Sequence, residues 1–293
     1  MGPLLFLCFI NDLPSVLDPK TSVRLFADDC LIYRSIHSQD DRTQLQKDLD
    51  SLGSWGDSWG MRFNTKKCNI MHLKNNVSHF YQLNSEFLKE VKDAKYLGLT
   101  LTNDMNWSPH ITSVASKAHQ RLGFLKRNLR GAPYKYRELA YKSLVRPQME
   151  YCCTIWDPTK TTDSDKLERV QRQSARWARG QYGIISVTDL LKDLKWTSLS
   201  ERRKDQRLAL MYQILHSNIA VPPEENYITR TNRPARGALN QTKLNRPIAS
   251  YKASPLWHST VFRTIPEWNN LPASVAETDS VTTFRSRLAA LRP

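Results

Sequence analysis

The chain has 293 residues, enough for about two domains with a sizeable core. Its 43 Lys and Arg outnumber its 28 Asp and Glu, for a formal net charge of +15. Residues 1–100 hold 12 basic and 12 acidic residues while 101–293 hold 31 and 16, an asymmetry that favours a polyanionic partner over a neutral one.

Five cysteines (Cys8, Cys30, Cys68, Cys152, Cys153) form no C-x-x-C pair, and Cys68 with His72 has no second ligand pair at zinc-site spacing. A disulfide scaffold is thereby excluded, and a reducing, intracellular compartment fits, nucleus or cytoplasm, with no secretion. The longest apolar run, Leu4 to Ile10, is too short to span a bilayer and has no basic segment before it. No membrane partner is expected. Phe6 stands where a myristoylation signal needs Ser or Thr.

In chain order, Gly2 to Leu13 is apolar on every side, which predicts a buried helix or strand ended by Asn11, Asp12 and Pro14. Val23–Phe26 and Cys30–Tyr33 are short β-prone runs, and Ala27-Asp28-Asp29 between them predicts a tight hairpin with both acids at its tip. Neighbouring carboxylates repel unless a cation joins them, and hard divalent ions favour such oxygens. Asp-Asp is also ordinary turn chemistry, and by itself it more often marks a solvated turn.

Ser38 to Trp55 predicts an amphipathic helix capped by Ser38, with Leu45, Leu49, Leu52 and Trp55 on one face and Gly53, Gly56 and Gly60 blurring its end. Lys66 and Lys67 fall in a turn before a strand expected over Asn69 to Leu73. Lysines in turns are mostly plain surface. Tyr96-Leu97-Gly98-Leu99 opens another β-prone run, with Gly98 suited to close backbone approach.

From Asn106 the periodicity becomes helical. Ser108-Pro109 opens one helix whose inner face is Ile111, Val114, Ala115, Ala118, Leu122 and Leu125, with Lys117, Arg121, Lys126, Arg127 and Arg130 mostly off that face. A second helix spans Lys135 to Val145. A third, Asp163 to Arg179, sets Leu167, Val170, Ser174 and Trp177 against Lys166, Arg169, Arg172, Arg176 and Arg179. Residues 106–180 hold 15 basic and 6 acidic residues, a composition suited to tracking phosphates, although solvated helix faces share it.

Ser198 to Glu201 reads as a capping box for a helix to about Leu215, again basic at Arg202, Arg203, Lys204 and Arg207. Pro222-Pro223 ends that compact stretch, and residues 229–250 read as a loop or arm. Phe262, Ile265, Trp268, Leu271, Phe284 and Leu288 predict an aromatic packing plug near the C-terminus.

Phe26-Ala27-Asp28-Asp29 within a strand–turn–strand resembles the metal-binding motif of reverse transcriptases, in the form typical of non-LTR (LINE-type) retrotransposons. Gly-Pro-Leu-Leu-Phe from Gly2 and Ile-Asn-Asp-Leu-Pro from Ile10 are similar to the later half of that family's second palm motif. Asn64-Thr65-Lys66-Lys67-Cys68 resembles its Asn-x-x-Lys-Thr/Cys motif, and Tyr96-Leu97-Gly98 its primer-gripping hairpin. Trp-Asn-x-Leu-Pro endings like Trp268–Pro272 occur in the same group. The resemblance runs from Gly2 to about Trp156 and more loosely beyond.

It implies an α+β fold: a partial right-hand polymerase palm, an antiparallel sheet with packed helices, over 1–104. Thumb helices follow at 105–156, a basic helical region at 157–217, and a linker and C-terminal tail at 218–293. It further implies that Asp28 and Asp29 are the second and third of three carboxylates holding two Mg²⁺ ions. Lys67 would lie near the incoming nucleotide, protonating the leaving pyrophosphate, and Tyr96, Leu97 and Gly98 would grip the primer. Lys117, Arg121, Lys126, Arg127, Arg130, Arg169, Arg172 and Arg176 would bind nucleic acid. The partners are then an RNA template, an RNA–DNA hybrid and dNTP.

The first carboxylate and the fingers would fall before Met1, and no endonuclease, RNase H or zinc knuckle is recognisable. The 293 residues alone are therefore expected not to polymerise DNA. A palm without its first strands should also leave an open sheet edge and an uncovered segment at Leu4 to Ile10, with poor solubility. One alternative is a non-catalytic RNA/DNA-binding remnant held by the basic helices. Another, a phospho-receiver domain, needs β-α alternation that the helical sequence after residue 105 does not offer.

Overall fold

The computed structural model describes residues 1–73, 79–183, 186–216, 218–219, 244–245 and 260–291, in two units, Met1–Asn106 and Trp107–Pro293. The first unit is mixed helix and strand, and the described part of the second is almost wholly helical.

The opening apolar run forms helix α1 (Gly2–Phe9), but it buries none of its residues, and Leu4, Leu5 and Leu7 stand exposed. The expectation of a buried element is corrected in that respect. A helix apolar on every side can bury only the arc that meets a neighbour. Here that arc is Phe6 and Phe9, with Phe9 edge-on to Trp55 and Trp59.

After a 3₁₀ turn at Leu13–Val16 come strands β1 (Ser22–Phe26) and β2 (Asp29–Tyr33), antiparallel and closed by the pair Phe26–Asp29. Val23, Leu25 and Ile32 pack on a core that includes Leu49, Leu52 and Trp55 of helix α2 (Gln39–Ser58), whose start at Ser38 is the expected cap. The cap is reciprocal: the Asp41 N–H donates to the Ser38 hydroxyl, and the Ser38 N–H donates to the Asp41 carboxylate.

Both ends of the hairpin are tied to α2. Thr21, just before β1, donates to the buried Asp48, which also accepts from the Asp18 N–H at 3.0 Å and from Gln44 at 3.1 Å. Arg34, just after β2, reaches Asp18 at 2.8 Å, Thr21 at 2.9 Å and Asp41 at 3.4 Å. The His37 N–H foremost, then the Ser38 hydroxyl and Arg34, pull the Asp41 carboxyl from 3.8 down to about 2. A depressed carboxylate stabilises the fold above its unfolded value and loses that contribution as pH falls through its folded one. The urea midpoint of the first unit is therefore expected to fall between pH 3.8 and about 2. Asp41→Asn should lower the midpoint at neutral pH and flatten that acid limb.

Two glycines let α2 run on to Ser58. A Cβ at Gly53 would meet only the side-chain end of Asn84, at 2.3 Å, whereas one at Gly56 would meet the Met61 carbonyl at 2.5 Å. Helix propensity favours Ala at either site by about 0.8–1 kcal/mol. Gly56→Ala is nonetheless expected to destabilise by about 1–3 kcal/mol, because backbone must move. Gly53→Ala should be close to neutral, and thermal midpoints of the two variants separate these outcomes.

The remaining strands are short: β3 (Asn69–Ile70), β4 (Gln82–Leu83), β5 (Glu86–Phe87), β6 (Lys89–Glu90), β7 (Asp93–Tyr96) and β8 (Leu99–Thr102). The strand expected over Asn69 to Leu73 thus shrinks to two residues. In place of one antiparallel sheet the described residues form four two-stranded pairs: β1·β2, β4·β5 and β7·β8 antiparallel, and β3·β6 parallel. Each antiparallel pair is closed by its own two-residue turn. Asn84-Ser85 and Leu97-Gly98 take positive φ at both positions, the geometry that matches strand twist.

In the second unit, helix α3 (Ser108–Asn128) buries Ile111, Ala115, Ala118, Leu122 and Leu125 as its periodicity predicts. The second expected helix is a composite: α4 (Tyr134–Ala140), a π turn (Tyr141–Val145) and α5 (Arg146–Glu150). Tyr141 stacks on Trp196 at 4.3 Å and donates to Gln171, so the π turn sits on a fully buried ring. A short helix, α6 (Cys153–Trp156), precedes α7 (Thr161–Arg179), whose inner face carries the predicted Leu167, Val170, Ser174 and Trp177.

Helices α3 and α7 lie side by side, starts together and ends together. At the start Ser108 donates to Asp163, and Lys166 bridges Asp163 and Thr112; at the end Arg137 donates to the Arg130 and Trp177 carbonyls. An arginine on final-turn carbonyls satisfies groups that the helix leaves open.

Helix α8 (Val187–Asp193) and helix α9 (Leu199–Leu215) follow, the latter opened by the expected Ser198–Glu201 cap. Helices α10 (Thr260–Asn269), α11 (Ala273–Ala276) and α12 (Val281–Ala290) complete the unit. Ile265, Trp268 and Phe284 are fully buried in one core with Leu208, Met211 and Tyr212 of α9, so the aromatic plug is real and α9 is what it plugs. Leu244 joins this core, its backbone held both ways by the Asn269 carboxamide. Pro222-Pro223 and most of 229–250 lie outside the described residues.

Arg203 and Arg207, two of the four basic residues noted on this helix, are 1% and 4% exposed. Arg203 donates to Asp157 at 2.7 Å, and Arg207 lies 2.9 Å from the other Asp157 oxygen and 2.9 Å from Glu267. Arg263 of α10 completes the cluster at 3.2 Å from Asp157, and also donates to the Asp157 and Pro158 carbonyls. The spacing Leu199–Arg203–Arg207–Met211 holds the clue, because it places both arginines on the stripe of two buried apolar residues.

Candidate functional site

Asp28 and Asp29 sit where the hairpin geometry puts them, at the exposed tip and the first position of β2. Ala27 takes φ 51°, a left-handed conformation that costs a residue with a Cβ roughly 1–2 kcal/mol. Among the described residues neither carboxylate has a hydrogen-bond or ion-pair partner, so two adjacent acids are presented outward without compensation.

The unit gathers other singled-out residues around this hairpin. The Tyr96 phenol is raised above its ordinary value by burial first, then by the negative charge of Asp29 and by Cys30, with Arg24 opposing. Tyr96 of the Leu97-Gly98 turn therefore shares the electrostatic environment of the acid-bearing strand. The Cys30 thiol, at a residue that is exposed as a whole, is pushed up to about 11 by the neighbouring atoms crowded around it and then by Cys68. Cys68 directly follows Lys67, which ends the 3₁₀ turn Thr65–Lys67 exposed and without a side-chain partner among the described residues.

The donor set suits a hard cation in kind, since both groups are carboxylates. It falls short in number: among the described residues no group of three or more His, Cys, Asp or Glu could hold a metal ion. No catalytic step through a metal follows from these residues by themselves.

In the helical unit Lys117, Arg121, Arg127, Arg130, Arg169 and Arg172 are exposed, and Lys126 and Arg176 half-buried. Burial lowers the Lys126 ammonium below its ordinary value. None of the eight is ion-paired among the described residues, in contrast to Arg202, Arg203, Arg207 and Arg263, which are matched to carboxylates. The second unit thus separates arginines packed against carboxylates from cations that have no ion-pair partner among the described residues. Among the described residues no helix is long and apolar enough to cross a membrane.

Residues 1–101 match the family model for reverse transcriptase (RNA-dependent DNA polymerase), and over that span the chain is reverse-transcriptase-like. Further relatives come from transposable elements of Drosophila melanogaster. The chain is 25% identical over 204 residues to the probable RNA-directed DNA polymerase from transposon X-element, covering 67% of this chain and 22% of that protein. It is 25% identical over 226 residues to the RNA-directed DNA polymerase from mobile element jockey, covering 72% and 24%. It is 26% identical over 216 residues to the probable RNA-directed DNA polymerase from transposon BS, covering 69% and 24%. The matched region therefore spans about a quarter of these relatives' length. No solved structure matches.

Proposed function

We propose that the chain corresponds to the late palm, thumb and tail of the RNA-directed DNA polymerase of a non-LTR retrotransposon. One observation carries this reading: two unpartnered, adjacent carboxylates on a strained hairpin tip, within the segment that matches reverse transcriptases. Asp28 and Asp29 provide two of the three carboxylates of the catalytic centre. When bound, Mg²⁺ ions supply the charge that activates a primer 3′-hydroxyl and steadies a triphosphate for in-line attack. Lys67 stands to hold a proton for the departing pyrophosphate, Tyr96, Leu97 and Gly98 position the primer backbone, and the eight unpaired cations follow the phosphates of an RNA–DNA hybrid. The protein then acts inside the cell.

With two carboxylates in place of three, these 293 residues are proposed not to extend a primer unaided. The test is primer extension on an RNA template, with the chain as it stands and with a chimera that places the preceding segment of the jockey polymerase before Met1. Activity of the chimera alone is the expected result. Extension by the unmodified chain overturns the incomplete-site reading, and inactivity of both overturns the polymerase assignment. The free cations favour a second reading, a non-catalytic binder whose hybrid affinity falls steeply with salt and survives Asp28→Asn.

A further inference from the structure

We propose that the groove between α3 and the π turn receives one unpaired nucleobase of a single strand, with the flanking phosphates on Lys117 and Arg121. The inference rests on the nucleic-acid reading above and adds to it a site that distinguishes an open base from a paired one.

The groove has a volume of about 550 Å³, inside the range of roughly 300–1,000 Å³ that small-molecule sites occupy. Lys117, Gln120, Arg121 and Phe124 line one wall from α3, and Leu144 of the π turn and Gln148 of α5 line the other. Lys117, Arg121 and Phe124 follow one another at helical spacing, so the two cations and the ring form one stripe about 10 Å long.

Three features fit a base better than another occupant. Phe124 is 56% exposed, and an open aromatic face beside cations is the arrangement on which bases stack while phosphates are held alongside. Leu144, 45% exposed on the π turn, supplies an apolar wall opposite. The Gln148 carboxamide oxygen is shielded from solvent yet accepts no hydrogen bond. A shielded acceptor without a donor carries a desolvation cost until an N–H reaches it. The exocyclic amine of a base is such a donor, whereas an acidic side chain would satisfy Lys117 and Arg121 but bring Gln148 only further acceptors.

The test is fluorescence anisotropy on the full chain with three probes: a short single-stranded RNA, the same strand with abasic positions, and a blunt duplex. The base-bearing strand should bind about tenfold more tightly than the abasic one, and Phe124→Ala should erase that preference while leaving duplex affinity nearly unchanged. Lys117→Ala should weaken all three and reduce the salt slope by about one. Gln148→Leu, which keeps the side-chain bulk and removes the acceptor, should reduce the base preference a few-fold, giving a second readout if Phe124→Ala fails to fold.

Equal binding of base-bearing and abasic strands by the unmodified chain overturns the proposal, as does a Phe124→Ala loss shared by all three probes. Duplex binding without base preference overturns it alone and leaves the proposed function standing. Failure to bind any of the three at low salt overturns both. Binding of polyglutamate that Phe124→Ala abolishes, with no base preference, would give the groove to an acidic protein and also overturn the proposal.

Discussion

Asp157→Ala is expected to destabilise the helical unit by about 3–5 kcal/mol, seen as a lower urea midpoint by far-ultraviolet circular dichroism. The Asp157 side chain is 7% exposed and stands between Arg203, Arg207 and Arg263. Removing it leaves three guanidinium groups with Glu267 as the remaining carboxylate of the cluster. Two nitrogens there are already short of partners: Arg203 Nη1 and Arg207 Nη1 are shielded and make no hydrogen bond. The size of the effect comes from isolating buried charge, not from the net worth of the ion pairs. Replacing a whole buried network by apolar residues is often neutral, while deleting one partner is not. A loss below about 1 kcal/mol would mean that water reaches the arginines when the aspartate is gone.

The second large effect concerns the carboxylate pair. In the jockey chimera, Asp28→Asn and Asp29→Asn are each expected to lower primer extension by about 10³-fold or more. Loss of a metal-holding carboxylate removes several kcal/mol of charge stabilisation, and each 1.36 kcal/mol is worth a factor of ten. Hybrid affinity should stay close to that of the unmodified chimera, because the tip is exposed and the cations proposed to bind phosphate lie in the other unit. A tenfold loss or less in extension would place the catalytic acids elsewhere. A parallel loss of hybrid affinity would show that the substitutions disturb binding as well as chemistry.

Much of the local architecture was legible from short-range rules. The hairpin over residues 22–33, the Ser38 and Ser198 caps, and the inner faces of α3 and α7 depend on neighbours at most four residues away. So does the Leu97-Gly98 turn, whose positive φ values glycine eases. The acid pair and its unusual presentation were visible for the same reason. Composition could not tell surface arginines from internal ones, because Arg172 and Arg203 are the same residue type on similar helices. Their fates diverge because Asp157, distant in sequence, folds back beneath α9.

The sequence alone thus determined the first hairpin, the caps of α2 and α9, which faces of α3 and α7 turn inward, and where two carboxylates stand together. Tertiary structure alone decided that α1 keeps most of its apolar surface outside, and that Tyr96 and Cys68 come to the acid-bearing hairpin. It also decided that the C-terminal helices close over α9, and that a π turn opens a groove beside Lys117. The first set follows from torsional preference, capping and periodicity, which act over a few residues of chain. The second depends on which surfaces meet across long loops, where the free energy of burial and charge pairing is set by partners that no local pattern names.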